Sequence, residues 1–165
     1  MEANRGNTQI MMQPLFIGAM LMLNQAGINQ IKSYEGLRLQ SYQDQRGVWT
    51  VGYGCTGPGI GPGMSITEEQ AESMFADRAR EFCHGLDPIL PPDLNDNQYS
   101  ALCSLTYNIG LNAFTGSTLH RKLQEGVRGQ GITQELLKWN HVDGVVNPGL
   151  TQRRQAEADL FNAPL

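Results

Sequence analysis

Three residues between positions 35 and 50 carry the types and spacing that acid–base chemistry needs: Glu35, Asp44 and Thr50. Ile28, Ile31 and Glu35 fall at i, i+3 and i+7, so they share one face of a predicted helix that Gly36 ends. That face is apolar except for the carboxylate. The negative end of the helix dipole and burial beside apolar groups both favour a neutral Glu35, the proton-bearing form a general acid requires. Catalysis of this kind contributes about 10²- to 10⁴-fold. Taken singly, each residue also has a plain structural reading. Glu35 could turn its tip to solvent, Asp44 opens an Asp-Gln-Arg-Gly turn, and Thr50 suits a strand.

The elements around them follow from the change of period after Gly36. Leu37, Leu39 and Ser41 alternate with polar neighbours, the turn at 44–47 reverses the chain, and Val48 to Gly54 returns as a second strand. In that strand Val48, Thr50 and Gly52 share one face, and Trp49, Val51 and Tyr53 the other. A helix feeding a hairpin therefore brings an acid towards an Asp and a hydroxyl.

The spacing of Glu, eight residues, Asp, five residues, Thr resembles the catalytic triad of phage-type lysozymes of glycoside hydrolase family 24. Tyr34 to Asp44 and Gly47 to Gly54 look like that family's active-site stretch. Ala101 to Gly110, Ser117 to Leu123 and Asn147 to Arg154 resemble its later blocks, in the same order, so the likeness runs over about residues 24–162. It implies an α+β fold, with a small N-terminal hairpin or sheet lobe, a larger all-helical C-terminal lobe, and the active-site cleft between them.

The resemblance further implies hydrolysis of the β-1,4 bond between N-acetylmuramic acid and N-acetylglucosamine in peptidoglycan, as a phage endolysin. Such a reaction needs one carboxylic acid to protonate the leaving oxygen and a second group to stabilise the cationic transition state or handle water. Glu35 is the implied acid, and Asp44 with Thr50 the groups that hold the water. Substrate contacts are implied for Tyr53, Tyr107, Asn108, Ser117 and Thr118. A basic partner for Glu35 is implied at Arg153 or Arg154, with the choice open. Such a partner would favour the charged carboxylate and oppose the burial and dipole effects. Cys55 is a departure, because many relatives have His after the Gly-Tyr-Gly. Two rivals remain: a lytic transglycosylase acting on the same bond, against which Asp44 and Thr50 argue, and a glycan-binding module without catalysis.

With 165 residues, 40% of them hydrophobic, the chain has the material for one domain with a sizeable core. Its net charge of −4 argues against a nucleic-acid partner. Residues 68–96 hold eight acids against two arginines, whereas 116–165 hold six basic and five acidic residues, so any attraction to anionic wall polymer should come from the C-terminal half. His84, His120 and His141 have no i, i+4 pairing, and neither a metal nor a cofactor is expected. Cys55, Cys83 and Cys103 lack CxxC spacing. Cys103, on an apolar helix, should be buried and unreactive, and Cys55, beside the Gly-rich stretch, accessible.

Residues 1–23 form an extension ahead of a catalytic domain at 24–165. No charged residue lies between Arg5 and Lys32, and Ile10 to Leu23 is apolar but interrupted by Gln13 and Pro14. That is short for a span of about 20 residues. A helix packed on the domain or an inert extension is favoured over a releasable membrane anchor, so membrane contact through 10–26 is not expected. Membrane disruption by this segment alone would need no sugar chemistry. Synthesis in the host cytoplasm, action at the wall in the periplasm and a monomeric state are expected, with export by a holin or by the anchor left open. The remaining helices are expected at Thr67 to about residue 85, Tyr99 to Ile109, 117–124, 133–140 and 148–161, after capping signals at Thr67, Asn95 and Asn147. The Gly- and Pro-rich run 57–63 must be loop or a sheet corner.

Overall fold

Gly36 ends the first helix by taking φ +69°, a left-handed conformation that costs a residue without a β-carbon little, and its N–H closes the last turn onto Lys32. The structure is a computed structural model, and it describes residues 22–165. Helix α1 (Gln25–Glu35) is capped at its start by the Asn24 side chain, which accepts from Gly27 N. It buries Ile31 completely and leaves Glu35 as its last residue.

The chain then forms a three-stranded antiparallel sheet, β1 (Arg38–Gln43), β2 (Trp49–Gly52) and β3 (Cys55–Thr56), in that order. The register sets Tyr42 opposite Thr50 and Thr50 opposite Thr56, so Thr50 sits mid-sheet and is buried. A third short strand joins the expected hairpin. The ladder is irregular between Arg38 and Tyr42, where the 61–66 segment claims the strand edge: Ser41 N donates to Met64 O and Ile66 N to Leu39 O. Val51, Ile66 and Ala71 form the small core beneath the sheet.

Helix α2 (Glu68–Leu86) opens with the expected capping box, Thr67 and Gln70 exchanging side-chain-to-backbone bonds, and leads away from the sheet. A 3-10 turn (Asp87–Ile89) and the Pro91-Pro92 pair then break the path. Helix α3 (Asp96–Ile109), capped by the Asn95–Gln98 box, is the axis of the larger lobe: every residue from Tyr99 to Tyr107 is buried. Around it pack α4 (Leu111–Thr115), α5 (Thr118–Gln124), α6 (Gln130–Leu137) and α7 (Pro148–Asn162). Leu102, Leu105, Phe114, Leu123, Leu136 and Phe161 are at or near zero exposure in this core. Each is worth about 1.5–3 kcal/mol of burial.

One sequence expectation shifts. The sixth helix runs 130–137 and not 133–140, because after it the chain turns into a hairpin, β4 (His141–Val142) and β5 (Val145–Val146). Asp143 and Gly144 take positive φ of 49° and 79°, the conformation an Asp-Gly hairpin turn demands between β-branched neighbours. The expectation for residues 1–23 falls almost wholly outside the described residues. No helix among those described is long and apolar enough to cross a membrane.

Candidate active site

The end of α1, the β1–β2 turn and strand β2 converge on one recess of about 160 Å³, lined by Glu35, Asp44, Thr50, Tyr107 and Asn108 among others. Each wall has a local cause. Glu35 arrives there because Gly36 stops the helix one residue later. Asp44 is locked by its own turn: Oδ1 accepts from Arg46 N and Val48 N, both at 2.9 Å, and Gly47 N donates to the Asp44 carbonyl. The Val48 N–H, helped by the Arg46 guanidinium and amide, holds the Asp44 carboxyl below the usual range and so ionised at neutral pH. Thr50 is 3% exposed, and its Oγ1 donates to Val48 O at 3.0 Å.

Glu35 is held from the opposite lobe. Arg153, on α7, donates from Nη1 to Glu35 Oε1 at 2.7 Å, and from Nε to the fully buried Glu157 at 3.2 Å. Its Nη2 donates to the Ser104 carbonyl. Arg154 points elsewhere: it pairs with Glu157 from the other side, with Nη2 to Oε1 at 3.0 Å. Of the two candidate partners, Arg153 is the one in contact. Burial pushes the Glu157 carboxyl upward, against the pull of Arg154 and Arg153.

Tyr107 lines the recess floor, its hydroxyl donating to the Tyr53 carbonyl at 2.7 Å, and burial pushes its phenol up. Asn108 faces both this recess and a wider cleft of about 920 Å³, where Glu35 and Arg46 also reappear. Tyr34, Trp139 and His141 line that cleft, so the unforeseen hairpin helps to build it.

Three implied substrate contacts are not brought to these surfaces. The Tyr53 side chain turns to the far side, its hydroxyl donating to Glu72 and its ring edge-on to Phe75 at 5.7 Å. Strand alternation explains this, since Thr50 faces the recess and Tyr53, three residues on, faces the other way. Ser117 caps α5, accepting from His120 N and donating to Phe114 O, and Thr118 is the first residue of that helix. Neither lines the recess or the cleft. Cys55 corrects another expectation: it is 4% exposed on β3, with its thiol against Tyr107, and burial pushes that thiol up. Cys103 is buried as expected, and the partly exposed thiol is Cys83. Among the described residues no group of His, Cys, Asp and Glu has the composition of a metal site.

A carboxyl at a helix end that shares a recess with an ionised Asp and a hydroxyl can protonate one side of a bond while these groups polarise water on the other. Comparison with known proteins places the chain as a whole. The family model described as phage lysozyme matches residues 32–157. The chain belongs to the phage lysozyme family.

An endolysin of Bacillus phage B103 is 43% identical over 141 residues, covering 84% of this chain and 53% of that protein. An endolysin of Acyrthosiphon pisum secondary endosymbiont phage 1 is 43% identical over 145 residues, covering 86% of this chain and 98% of the other. Among solved structures, the muramidase domain of SpmX from Asticaccaulis excentricus superposes with a TM-score of 0.80 at 32% identity, over 87% of this chain and 99% of that one. The chain spans about half the length of the Bacillus phage relatives it matches. The phage lysozyme architecture implied by the sequence resemblance, a small sheet lobe and a helical majority, is the one observed.

In this chain the sequence reading missed Arg78, Tyr42 and Gly54 as walls of the recess. Arg78 stacks on Tyr107, its guanidinium 4.9 Å from the ring centroid, and reaches Thr56 Oγ1 at 3.4 Å. Nothing in its helix marks Arg78 as different from Arg80, which points to solvent and pairs with Asp77. Gly54 did carry a signal, since a Gly-Tyr-Gly at a strand end marks close backbone approach.

Proposed function

We propose that this phage lysozyme hydrolyses the β-1,4 bond between N-acetylmuramic acid and N-acetylglucosamine in peptidoglycan, as an endolysin acting at the bacterial wall. The observation that carries the reading is the single recess lined by Glu35, Asp44 and Thr50. Glu35, oriented by Arg153, protonates the leaving glycosidic oxygen. Asp44, kept ionised by the Val48 and Arg46 N–H groups, and Thr50 orient the water that completes the cleavage. Asn108 and Tyr107, together with the cleft beyond them, receive the glycan strand. The charged and polar groups named here all come from one chain.

The test is clearing of purified peptidoglycan by wild type and Glu35→Gln, with mass analysis of the products. New reducing ends from wild type, and loss of clearing by a folded Glu35→Gln protein, support hydrolysis. Anhydro-sugar ends would indicate a transglycosylase. Binding without cleavage by wild type would indicate a glycan-binding module.

A further inference from the structure

Cys83 on α2 and Cys103 on α3 face each other across the seam between these helices, Sγ to Sγ 3.5 Å. The two sulfurs differ in access. Cys103 is 2% exposed and sealed in the core of the larger lobe, whereas Cys83 borders an open, mainly apolar recess of about 530 Å³ between α1 and α2, beside Ala79 and His84. Cys55, the third cysteine, is buried in the sheet against Tyr107 and belongs to neither. The two sulfurs already touch, and a bonded pair stands about 2.05 Å apart, a gap that small rotations about two Cα–Cβ bonds can close.

We propose that Cys83 and Cys103 are a dithiol that closes to an intramolecular disulfide, with Cys83 as the entry thiol and a small or protein disulfide as the oxidant. The electrostatics favour that order of events. The Cys103 S–H donates to a Cys83 thiolate, which brings Cys83 down to about 7, while burial drives Cys103 up. At neutral pH the reachable sulfur is therefore the nucleophile. Its thiolate attacks one sulfur of R–S–S–R, breaking that bond and forming Cys83–S–S–R, and the released R–S⁻ takes up a proton as R–SH. Cys103 then gives up its proton and attacks the Cys83 sulfur. The second R–S⁻ leaves and takes that proton. Two cysteine thiols lose two electrons and two protons, and one R–S–S–R becomes two R–SH.

The new bond ties α2, which carries Arg78 into the recess, to α3, which carries Tyr107 and Asn108. It closes a loop with a sequence separation of 20 between its ends. This chemistry does not depend on the hydrolytic reading, although a wall-acting enzyme would meet oxidants that the cytoplasm lacks.

The experiment treats the full-length native protein with glutathione disulfide, then denatures it, alkylates free thiols and maps peptides without reductant. The expected result is one alkylated cysteine of the three, Cys55, and a peptide pair joined through Cys83 and Cys103. The melting temperature should rise on the order of 5–10 °C and return on reduction. Cys103→Ser should trap glutathione on Cys83. The wild-type peptide map decides alone if that variant does not fold. Three alkylated cysteines, a stable glutathione adduct on Cys83 in wild type, a link through Cys55 or a bond between two chains would each overturn the proposal.

Discussion

Gly54 lies so close to Glu35 that a β-carbon built on it would stand 2.7 Å from Oε2 and 3.3 Å from the carboxyl carbon. Its φ of +73° also places it in the left-handed region. The turn between β2 and β3 thus offers a bare backbone position against which the carboxyl of α1 is packed. Gly54→Ala should displace the Glu35 tip and strain the turn, costing about 1–2 kcal/mol of stability and at least about 10-fold in wall-clearing rate. Urea denaturation and a turbidity assay on the same preparation check this. Unchanged activity would show that the Glu35 side chain has room the structure does not give it.

Arg153 ties α1 to α7 by bridging Glu35 and Glu157 at only 4% exposure. Arg153→Met should destabilise the fold by about 3 kcal/mol, because Glu157 then loses one of its two buried cationic partners, and it should also impair clearing because Glu35 loses its anchor. Arg153→Lys keeps the charge but lacks the fork that serves both acids, so it should fall between wild type and Met in both assays.

Asp44→Asn should lose at least about 10²-fold in clearing while keeping a near-native melting temperature, since an amide oxygen can still accept from Arg46 N and Val48 N. Thr50→Ala should lose less, because its hydroxyl carries no charge and is already engaged with Val48 O. Equal, mild losses at Glu35, Asp44 and Thr50 would point to a binding module.

Glu135 gives the fold a pH-dependent element remote from the recess. It is 4% exposed and accepts from Lys122 at 2.7 Å and from Lys138 at 2.9 Å. The Lys122 hydrogen bond, with that of Lys138, lowers its pKa in the folded state. Such a group stabilises the fold above its unfolded pKa, and that contribution is lost as pH falls through the lower folded value. Glu135→Gln should therefore be less stable than wild type by about 1–2 kcal/mol at neutral pH. The difference should vanish in acid below the carboxylate range, as denaturation midpoints at the two pH values will show.

Local chemistry in the sequence determined the helix stops and caps. Gly36, the Thr67–Gln70 and Asn95–Gln98 boxes and Asn147-Pro148 act over four residues or fewer, so their signals survive in one dimension. It also determined that a helix-borne Glu35 precedes a hairpin carrying Asp44 and Thr50. The hairpin around Asp143-Gly144 was not read, because its strands of two residues each are too short to show a period. What only the tertiary structure decided were relations between distant segments. Arg153 and Arg154 are adjacent, yet neighbouring residues on a helix point about 100° apart, and only the packing of α7 against α1 and α3 selects the one that meets Glu35. The same holds for Cys83 and Cys103, brought into contact by the seam of α2 and α3, and for Cys55, whose buried thiol meets Tyr107 from α3. Spacing along a chain fixes which residues can share a face, and it takes the packed core to fix what that face meets.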